Sequence, residues 1–457
     1  MAVSFRVSDI HYRELRQQLF PGDGLEAVAF ALCGRHHSEN YDLLTVQRVL
    51  TVPHNQCDRG RKHITWPTAS LASLLDEARK RRLGIVKFHS HTEGYASFSS
   101  TDDESDRQTF SSISAWLDDG ESHGSVVVLP DGSLFGRSIR SRLWQPFDSI
   151  TVVGDDILHW HSGQSDDPVA PALVAQTQLF GAGTTARLRH LRVGVVGCSG
   201  TGSIVVELLT RLGVGTLILV DDDRVEERNL NRIVNARRAD IDRPKVDVLA
   251  EGVQLIGFGT KVIPLPLNLY DVRAVNAIAA CDLVFGCMDT AEGRHLLNRI
   301  ATFYILPYFD LGVHLRANDR GGIDEACGVV HYIQPGGSSL LSRGAYGLER
   351  VRAENLRRTD PEKYREQLEV NYIEGVDEKS PAVVSVNATI ASLAVNEFLA
   401  RIHPFRSCKN SDGAIIYFDF METMVVREEE REACPLLKPL VGLGDVIPIL
   451  DMPSLSS

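Results

Sequence analysis

The segment 192–232 restricts the possible folds of this chain more than any other part of the sequence. It reads RVGVVGCSGTGSIVVELLTRLGVGTLILVDDDRVEERNLNR. A β-branched apolar run leads into a glycine-rich turn, apolar residues follow at helical spacing, and a second apolar run ends on three acids. This order predicts a strand, a tight turn, a helix and a second strand, which is the βαβ unit of a doubly wound nucleotide-binding sheet.

The glycines of the turn indicate a site for a phosphate group. Glycine lets the backbone approach a ligand closely, and the following helix offers unpaired N–H groups and the positive end of its dipole. These glycines are Gly197, Gly200 and Gly202. Ser199 stands where the dinucleotide fingerprint G-x-G-x-x-G has its second glycine, so the match to NAD-binding sites is imperfect.

Beyond the second strand, the sequence continues with motifs that an NAD site does not need. DDDRVEERNLNR follows directly, RPK stands at 243–245, and CMDT stands at 287–290. With the glycine loop, these motifs resemble the ThiF/MoeB/ubiquitin-activating family, and the resemblance implies an ATP-dependent adenylating site. In that family an Asp holds the ribose of ATP, an Arg and a Lys hold the phosphates, and a second Asp coordinates Mg²⁺. The residues of this chain that match the family's ATP-binding positions are Asp221, Asn229, Arg232, Lys245 and Asp289.

Size and composition narrow the class of protein further. With 457 residues the chain is long for one core, so two domains are expected. A net charge of −12 gives no electrostatic reason to bind nucleic acid or an anionic membrane. No apolar run approaches the ~20 residues that span a bilayer, and the first residues are too interrupted by charge for a secretory signal. Eight cysteines, never spaced as Cys-x-x-Cys, fit reduced thiols, so we expect a cytoplasmic enzyme.

A second motif lies in the first third of the chain. LGIVKFHSH at 83–91 predicts a short strand that ends in His-Ser-His. Histidines at positions i and i+2 of a strand point to the same face, so both can bind one metal ion. After seven further residues, Ser99-x-x-Asp102 precedes an amphipathic run that ends at Leu117. A helix is therefore predicted to begin near Ser100.

The complete motif resembles the signature of the JAMM/MPN metalloproteases, a fold of isopeptidases. The resemblance implies Zn²⁺ bound by two His and one Asp, with an open position for water, and a Ser that assists at the developing oxyanion. The matching residues are His89, His91, Asp102 and, for the serine, Ser99. The family's general base is an upstream Glu, for which Glu26, at the start of the run EAVAFALCG, is the candidate. Thr92 stands where the family often has proline.

The adenylating half departs from its family at several places. Ala175 replaces an Arg that, in the family, reaches the ATP of a partner subunit. The candidates to replace that Arg are Arg187, Arg189 and Arg237. Ser339 and Ser342 replace the cysteines of P-G-G-x-C-x-x-C, and only Cys434 remains of the second pair, so a four-cysteine zinc site is not expected. Cys327 is the remaining candidate for a thioester-forming nucleophile, and it can equally be a small buried hydrophobe.

These observations predict an α/β protein of two domains. Residues 1–155 are expected to form a JAMM/MPN α/β domain, 156–172 a linker, and 173–457 a doubly wound, Rossmann-like ThiF-type adenylating domain. The resemblance implies Zn²⁺, ATP and Mg²⁺ as cofactors. It also implies a ubiquitin-like protein, a conjugating enzyme and a second copy of the chain as partners.

The function that the resemblance implies combines two reactions in one chain. The chain would adenylate the C-terminus of a ubiquitin-like protein and would also trim or remove that modifier, as in bacterial ubiquitin-like systems, including antiphage operons. Two alternatives stay open, an NAD-linked oxidoreductase on the Rossmann unit and a binding scaffold with one or both sites inactive. The charged block 346–379 is either a solvated helical face or a crossover segment under which the modifier's tail threads.

Overall fold

The computed structural model describes residues 2–140, 143–163, 171–318, 320–369 and 381–455. They form two compact units. The first unit is built from the described residues of 1–165, 303–305 and 440–456, and the second from those of 166–302 and 306–439. Residues 440–455, which fall in the second predicted domain, thus belong to the first unit. Of the predicted linker, 164–170 lie outside the described residues, as do 370–379 of the charged block.

A mixed β-sheet forms the centre of the first unit. Within the described residues its strands lie in the order β11-β10-β1-β3-β2-β6-β7-β8-β9. The strands are β1 (Ala2–Ser8), β2 (Val28–Ser38), β3 (Tyr41–Thr51), β6 (Gly84–Ser90), β7 (Ser122–Val128), β8 (Leu134–Arg140), β9 (Leu143–Pro146), β10 (Ser149–Val153) and β11 (Ile157–His161). A separate short hairpin is formed by β4 (Asp58–Arg59) and β5 (Ile64–Thr65). The helices are α1 (Asp9–Leu19), α2 (Ala72–Arg81) and α3 (Ser100–Leu117).

Strand β2 is buried on both faces because helices cover both sides of the sheet. Its alternate residues Val28 and Phe30 belong to one apolar cluster, together with side chains of α2 and α3. Ala29 and Ala31 belong to the cluster on the other face, together with side chains of α1. Successive side chains of a strand point to opposite faces, so a strand covered on both sides reads as a continuous apolar run.

The second unit is built on a sheet that is parallel in one half and antiparallel in the other. Its described strands lie in the order β14-β13-β12-β15-β16-β17-β18-β19. The strands are β12 (Arg192–Val196), β13 (Thr216–Val220), β14 (Lys261–Leu265), β15 (Leu283–Gly286), β16 (Tyr308–Ala317), β17 (Ile323–Ile333), β18 (Ile415–Asp419) and β19 (Met424–Glu428). The helices are α4 (Val174–His190), α5 (Gly200–Arg211), α6 (Lys245–Ile256), α7 (Val272–Ala279), α8 (Ala291–Phe303), α9 (Leu348–Thr359), α10 (Pro361–Glu369) and α11 (Val384–Ile402). The predicted α/β class with a doubly wound sheet is confirmed.

The parallel half of this sheet brings three loops to one edge. β12 pairs with β13 on one side and with β15 on the other, and both pairings are parallel. The loops that follow these strands therefore leave the sheet side by side at its carboxyl edge, where doubly wound folds bind ligands. No helix among the described residues is long and apolar enough to cross a membrane.

The segment 440–455 packs into the first unit through a close backbone approach at Gly442 and through hydrogen bonds of Asp445. The hydroxyl of Thr45 donates to the carbonyl of Gly442 at 3.0 Å. Gly442 has a φ of +73°, and a Cβ atom built on it would lie 2.3 Å from the carbonyl oxygen of Val46. Asp445 accepts hydrogen bonds from the Tyr304 hydroxyl at 2.8 Å and pairs with His36 at 2.9 Å. The segment thus completes the first unit rather than extending the second.

The substitution Gly442→Ala should lower the free energy of unfolding of the first unit by more than the backbone strain of a positive φ accounts for. We expect a cost of more than about 2 kcal/mol, because backbone strain and the clash with Val46 add. Gly120→Ala is the matched control, since Gly120 has a φ of +63° and open space around it. Scanning calorimetry of both variants measures the difference, and equal losses in the two variants would contradict the contact with Val46.

Candidate active sites

Two histidines and one aspartate meet at the end of strand β6 in the first unit. His89 and His91 project from β6 and the residue after it, and their Nε2 atoms lie 3.2 Å apart. Asp102 places its carboxylate oxygens 3.0 Å from His89 Nε2 and 3.3 Å from His91 Nε2. Each residue offers one ligand atom, and these three atoms all lie within 4.8 Å of one another. This spacing suits a single metal ion. The predicted zinc ligands are therefore brought together.

The second nitrogen of His91 is already occupied, and this fixes which nitrogen faces the site. His91 Nδ1 donates to the backbone carbonyl of Tyr95 at 2.7 Å. Because Nδ1 carries the proton, Nε2 keeps its lone pair for a ligand, as in metal-binding histidines oriented by a second partner. The burial of His89 lowers its pKa and thus favours the neutral imidazole that a metal needs.

Asp102 is placed by the cap of helix α3. Ser99 is the N-cap residue, and its Oγ accepts the backbone N–H of Asp102 at 3.1 Å. The Asp102 carboxylate accepts the backbone N–H of Ser99 at 2.7 Å and the Ser99 hydroxyl at 2.8 Å, which completes a capping box. The predicted oxyanion donor Ser99 is therefore hydrogen-bonded to the carboxylate of Asp102, the candidate metal ligand, in this structure. Burial raises the pKa of Asp102, but without a metal the protonated Nε2 atoms of His89 and His91 donate to its carboxylate and hold that pKa well below its ordinary value. A metal ion would take the place of these protons.

Glu26 lies on the same face of the sheet as the two histidines. In the antiparallel pair of β2 and β6, Val28 stands opposite His89, so Glu26, two residues earlier, continues the same face opposite His91. Its side chain is buried, and burial raises the pKa of Glu26 to about 7. A carboxyl group with this pKa can both take up and release a proton near neutral pH, which suits the predicted general base.

A buried ion triad lies one helical turn below the candidate metal ligand. Asp106 on α3 is completely buried and pairs with Lys87 of β6 and, at 2.6 Å, with Arg137 of β8. Lys87 precedes His89 by two residues, and Asp106 follows Asp102 by four, so both pairs lie on the same faces of strand and helix. The triad is a group of residues that the sequence pattern did not single out.

Removing the Asp106 carboxylate should destabilise the first unit strongly. We expect Asp106→Asn to cost about 3–5 kcal/mol, because it leaves the Lys87 ammonium buried without a full counter-charge. Asp103 also pairs with Arg137, but it is half exposed, so Asp103→Asn should cost less than about 1 kcal/mol. Urea denaturation of the two variants tests this, and a small loss for Asp106→Asn would contradict the importance of the triad.

The glycine loop of the second unit lies between the ends of β13 and β15. Gly197 donates its N–H to Val220 at the end of β13, while Cys287, just after β15, donates to Val196. Gly197 has a φ of +89°, and a Cβ atom on it would lie 2.7 Å from the carbonyl oxygen of Cys287. Only glycine fits there, and the chain then enters α5 at Gly200 with its N–H groups free to face an anion.

Asp221 and Lys245 lie on one side of this loop. The Asp221 carboxylate accepts the backbone N–H of Cys198 at 2.6 Å and that of Asp223 at 2.9 Å. Lys245, at the start of α6, is buried, with its Nζ 2.6 Å from Asp223 and 3.9 Å from Asp221. The predicted ribose ligand and one predicted phosphate ligand are thus neighbours at the carboxyl edge of the sheet.

The other predicted ATP-binding residues differ in the hydrogen bonds that their side chains already make. Arg232 donates to a backbone oxygen and to an amide oxygen of its own turn, at 2.9 and 3.4 Å, and its Cδ lies near Gly200. Asp289 is exposed just beyond β15. Asn229 is buried, and its Oδ1 caps a short turn by accepting the N–H of Glu226, so its side chain supports the loop that carries Arg232. Asn387 of α11 also approaches Gly200, a contact that no local pattern predicts.

Two residues are candidates for roles that the family's usual residues do not fill here: Arg187 for the missing Arg, and Cys327 for the nucleophile. Arg187 donates to the carbonyl of Ile402 at 2.7 Å, so its guanidinium is used inside its own unit. The thiol of Cys327 lies 3.8 Å from the carboxylate of Glu325, and burial together with that carboxylate raises the pKa of Cys327. A raised pKa lowers the fraction of reactive thiolate, so these surroundings do not favour a nucleophile.

Where the family has cysteines, the loop holds an ion pair instead. Ser339 and Ser342 bond each other's backbone N–H groups. Arg343 is fully buried, places Nη2 3.1 Å from both carboxylate oxygens of Glu430 and donates through Nε to Ser338. Cys434 is buried, and within the described part of the chain no group of His, Cys, Asp or Glu around it could hold a metal ion.

Comparison with known proteins gives two separate family matches. The ThiF family matches residues 173–436, and the prokaryotic homologs of the JAB domain match residues 8–133. The ubiquitin-like modifier-activating enzyme 5 of Culex quinquefasciatus is 33% identical over 163 residues, 33% of this chain and 38% of that protein. The SAMP-activating enzyme E1 of Haloferax volcanii is 34% identical over 121 residues, 26% of this chain and 45% of that protein. The chain thus spans less than half the length of either relative.

Among solved structures, the E. coli MccB structure overlaps with 62% of this chain. The overlap covers 74% of that chain at 19% identity, with a TM-score of 0.44. At this score and identity, the likeness does not inform the activity of the present chain.

Proposed function

Because the chain belongs to the ThiF family and carries a JAB domain before it, as the motifs predict, we propose that it is an enzyme with two sites. The second unit uses ATP to adenylate the C-terminal carboxylate of a ubiquitin-like protein. The first unit is a zinc-dependent peptidase or isopeptidase that trims or removes the same modifier. The choice of substrate rests on relatives named as activating enzymes of ubiquitin-like modifiers.

The adenylation proposal rests mainly on the meeting of the glycine loop, Asp221 and Lys245 at one sheet edge. Asp221 would accept the ribose hydroxyls, and the N–H groups at the start of α5 would face the phosphates. Arg232 and Lys245 would neutralise phosphate charge. In its present contacts Lys245 pairs with Asp223, whose side chain is 70% exposed, so a phosphate can replace that carboxylate at little cost.

The reaction is a displacement at the α-phosphorus of ATP. An oxygen of the modifier's C-terminal carboxylate forms the new bond to phosphorus, and the bond to the bridging oxygen breaks to release pyrophosphate. The product is an acyl-adenylate. Positioning and charge neutralisation by Arg232 and Lys245 supply most of the rate. Mg²⁺ held by Asp289 would add charge neutralisation on the phosphates.

Replacing Arg232 should weaken ATP binding without unfolding the second unit. We expect Arg232→Ala to raise the Kd for MgATP about 10- to 100-fold, the loss typical of one charged hydrogen-bond partner. Arg211→Ala is the matched control, because Arg211 lies exposed on α5 and pairs with Glu207. Calorimetric titration with MgATP and with NAD measures both variants. Binding of NAD but not of ATP would support the oxidoreductase alternative and would contradict the proposal.

The peptidase proposal rests mainly on the meeting of His89, His91 and Asp102. Zn²⁺ held by these residues would supply a Lewis acid for the scissile carbonyl and for a water molecule. Glu26 would take the proton of that water and pass it to the leaving amine nitrogen. Ser99 would have to release the Asp102 carboxylate before its hydroxyl could donate to the developing oxyanion.

Two substitutions separate metal binding from proton transfer. His89→Ala should abolish stoichiometric zinc binding, measured by elemental analysis, and cleavage with it. Glu26→Gln should keep the zinc and reduce kcat for a modifier–reporter fusion by about 10²- to 10⁴-fold, the usual contribution of a general base. His37→Ala is the control, because His37 is 41% exposed and pairs with Asp42. Wild-type protein that neither binds zinc nor cleaves the fusion would support a binding scaffold instead.

The proposal ends at the adenylate and does not include a thioester. The acidic surroundings of Cys327 disfavour it as the acceptor. A conjugating enzyme and a second copy of the chain stay predictions, and so does the replacement of the Arg that is missing at Ala175.

A further inference from the structure

The guanidinium group of Arg59 makes several hydrogen bonds to the loop that carries Glu26. We call residues 23–26 the base loop. Arg59, on the β4–β5 hairpin, donates through Nε to the carbonyl of Glu26 at 2.8 Å and through Nη2 to the carbonyl of Leu25 at 3.1 Å. The same guanidinium pairs with both carboxylate oxygens of Asp23, at 2.7 and 3.1 Å. Only 8% of the Arg59 side chain is exposed.

Further bonds hold the same loop from both ends. The N–H of Glu26 donates to the carbonyl of Gly60 at 2.8 Å, so the residue next to Arg59 also fixes the candidate base. Asp23 accepts the N–H of Leu25 at 3.0 Å, which closes the loop on itself. Thr92, the residue after the candidate ligand His91, lies with its hydroxyl 3.2 Å from the carbonyl of Gly24. The hairpin, the base loop and the ligand strand are thus joined through polar contacts.

This arrangement matters because Glu26 lies outside the strand ladder that positions the histidines. Strand β2 begins at Val28, two residues after Glu26. The sheet therefore fixes the direction of the Glu26 side chain only through the residues that follow it. The remaining freedom of the base loop is removed by the hairpin.

We propose that Arg59 is the positioning residue for Glu26. Its guanidinium holds the base loop so that the Glu26 carboxylate stays opposite His91, where a proton of the attacking water would be taken up. This inference rests on the proposed peptidase function, in which Glu26 is the general base. A displacement of about 1 Å of a catalytic group can cost about 100-fold in rate.

The geometry requires arginine and not merely a positive charge. The planar guanidinium of Arg59 donates four hydrogen bonds in different directions, two to one carboxylate and one to each of two carbonyls. The ammonium of lysine is a point charge without the planar fork, so it cannot satisfy all of these acceptors together. Arg59→Lys is therefore expected to resemble Arg59→Met in its effect on catalysis.

Arg35 offers a matched control in the same unit. It is also buried and donates to one carboxylate, Asp119 at 2.9 Å, and to two backbone carbonyls, those of Arg82 and Ser122. None of these partners belongs to the base loop or to the candidate metal ligands. Arg35→Met thus removes three hydrogen bonds to the same kinds of acceptor elsewhere in the unit, and it measures the cost of losing a buried guanidinium as such.

The test compares Arg59→Lys, Arg59→Met and Arg35→Met with the wild type. In zinc-free protein, we expect the amide of Glu26 to exchange hydrogen at least about tenfold faster in both Arg59 variants and at the wild-type rate in Arg35→Met. With zinc bound, kcat for the modifier–reporter fusion should fall about 100-fold in the Arg59 variants while KM and the zinc Kd change less than about twofold. Asp23→Asn, at a half-exposed position, keeps Arg59 and should show a smaller loss of kcat.

The outcomes separate this inference from the peptidase proposal. Unchanged exchange at Glu26 in the Arg59 variants would overturn the positioning role, whatever the activity. So would a loss of kcat no larger than that of Arg35→Met. If the wild type does not cleave, or if Glu26→Gln cleaves normally, the peptidase proposal fails, and this failure is visible without any Arg59 variant.

Discussion

The carboxylate of Asp106 is the constraint on which the arrangement of the first site depends. It is fully buried, and its charge is matched by Lys87 from β6 and Arg137 from β8. Two strands and one helix must therefore keep their relative positions, because a buried charge without its partners costs several kcal/mol. The Asp102 carboxylate lies one turn earlier on the same helix. The ion triad therefore also fixes its distance from His89 and His91. The three candidate metal ligands are therefore held close together by the protein alone, without a bound metal.

The second site meets a similar demand with a weaker device. Lys245 is buried, and its ammonium is paired with Asp223 before any nucleotide is present. The partner is largely exposed, so the pair keeps the lysine in place without binding it strongly. In the first site, buried ion pairs of Asp106 fix the position of helix α3. The other site uses an exposed counter-charge that a phosphate group can replace.

The sequence is sufficient to predict which residues of each candidate site lie close together where the signal is local, and it does not predict the residues that support them. His89, His91, Ser99 and Asp102 lie within one strand, one loop and one helix cap, so periodicity and capping rules place them. The partners that position them are distant along the chain. Arg59 is 33 residues from Glu26, and Arg137 is 31 residues from Asp106. Pairings at such separations depend on the tertiary structure and leave no periodic pattern.

The same reason explains the misplaced end of the chain. Residues 440–455 follow directly on the adenylating domain in the sequence, and their glycines and prolines predict turns without indicating which unit the segment joins. Their place in the first unit depends on single contacts, such as that of Asp445 with His36, which lies 409 residues away. A boundary drawn from sequence alone therefore follows the order of the chain, whereas the compact unit follows these contacts.

The ion pair of Arg343 and Glu430 bears on how zinc dependence would be interpreted. In the family that the sequence resembles, cysteines at the positions of Ser339 and Ser342 often form half of a four-cysteine zinc site, and Cys434 marks the loop of the other half. Here a buried guanidinium joins the corresponding loops through Glu430, 87 residues away, and through the Ser338 hydroxyl. A charge pair of this kind is indifferent to chelators and to thiol oxidation. Within the described residues, the remaining cluster that combines histidine with carboxylate is that of His89, His91 and Asp102. A zinc requirement therefore points to this cluster, whereas Asp221, Asp222 and Asp223 of the second unit form a group of carboxylates that suits a harder metal ion. The pair of Arg343 and Glu430 joins its loops without a metal.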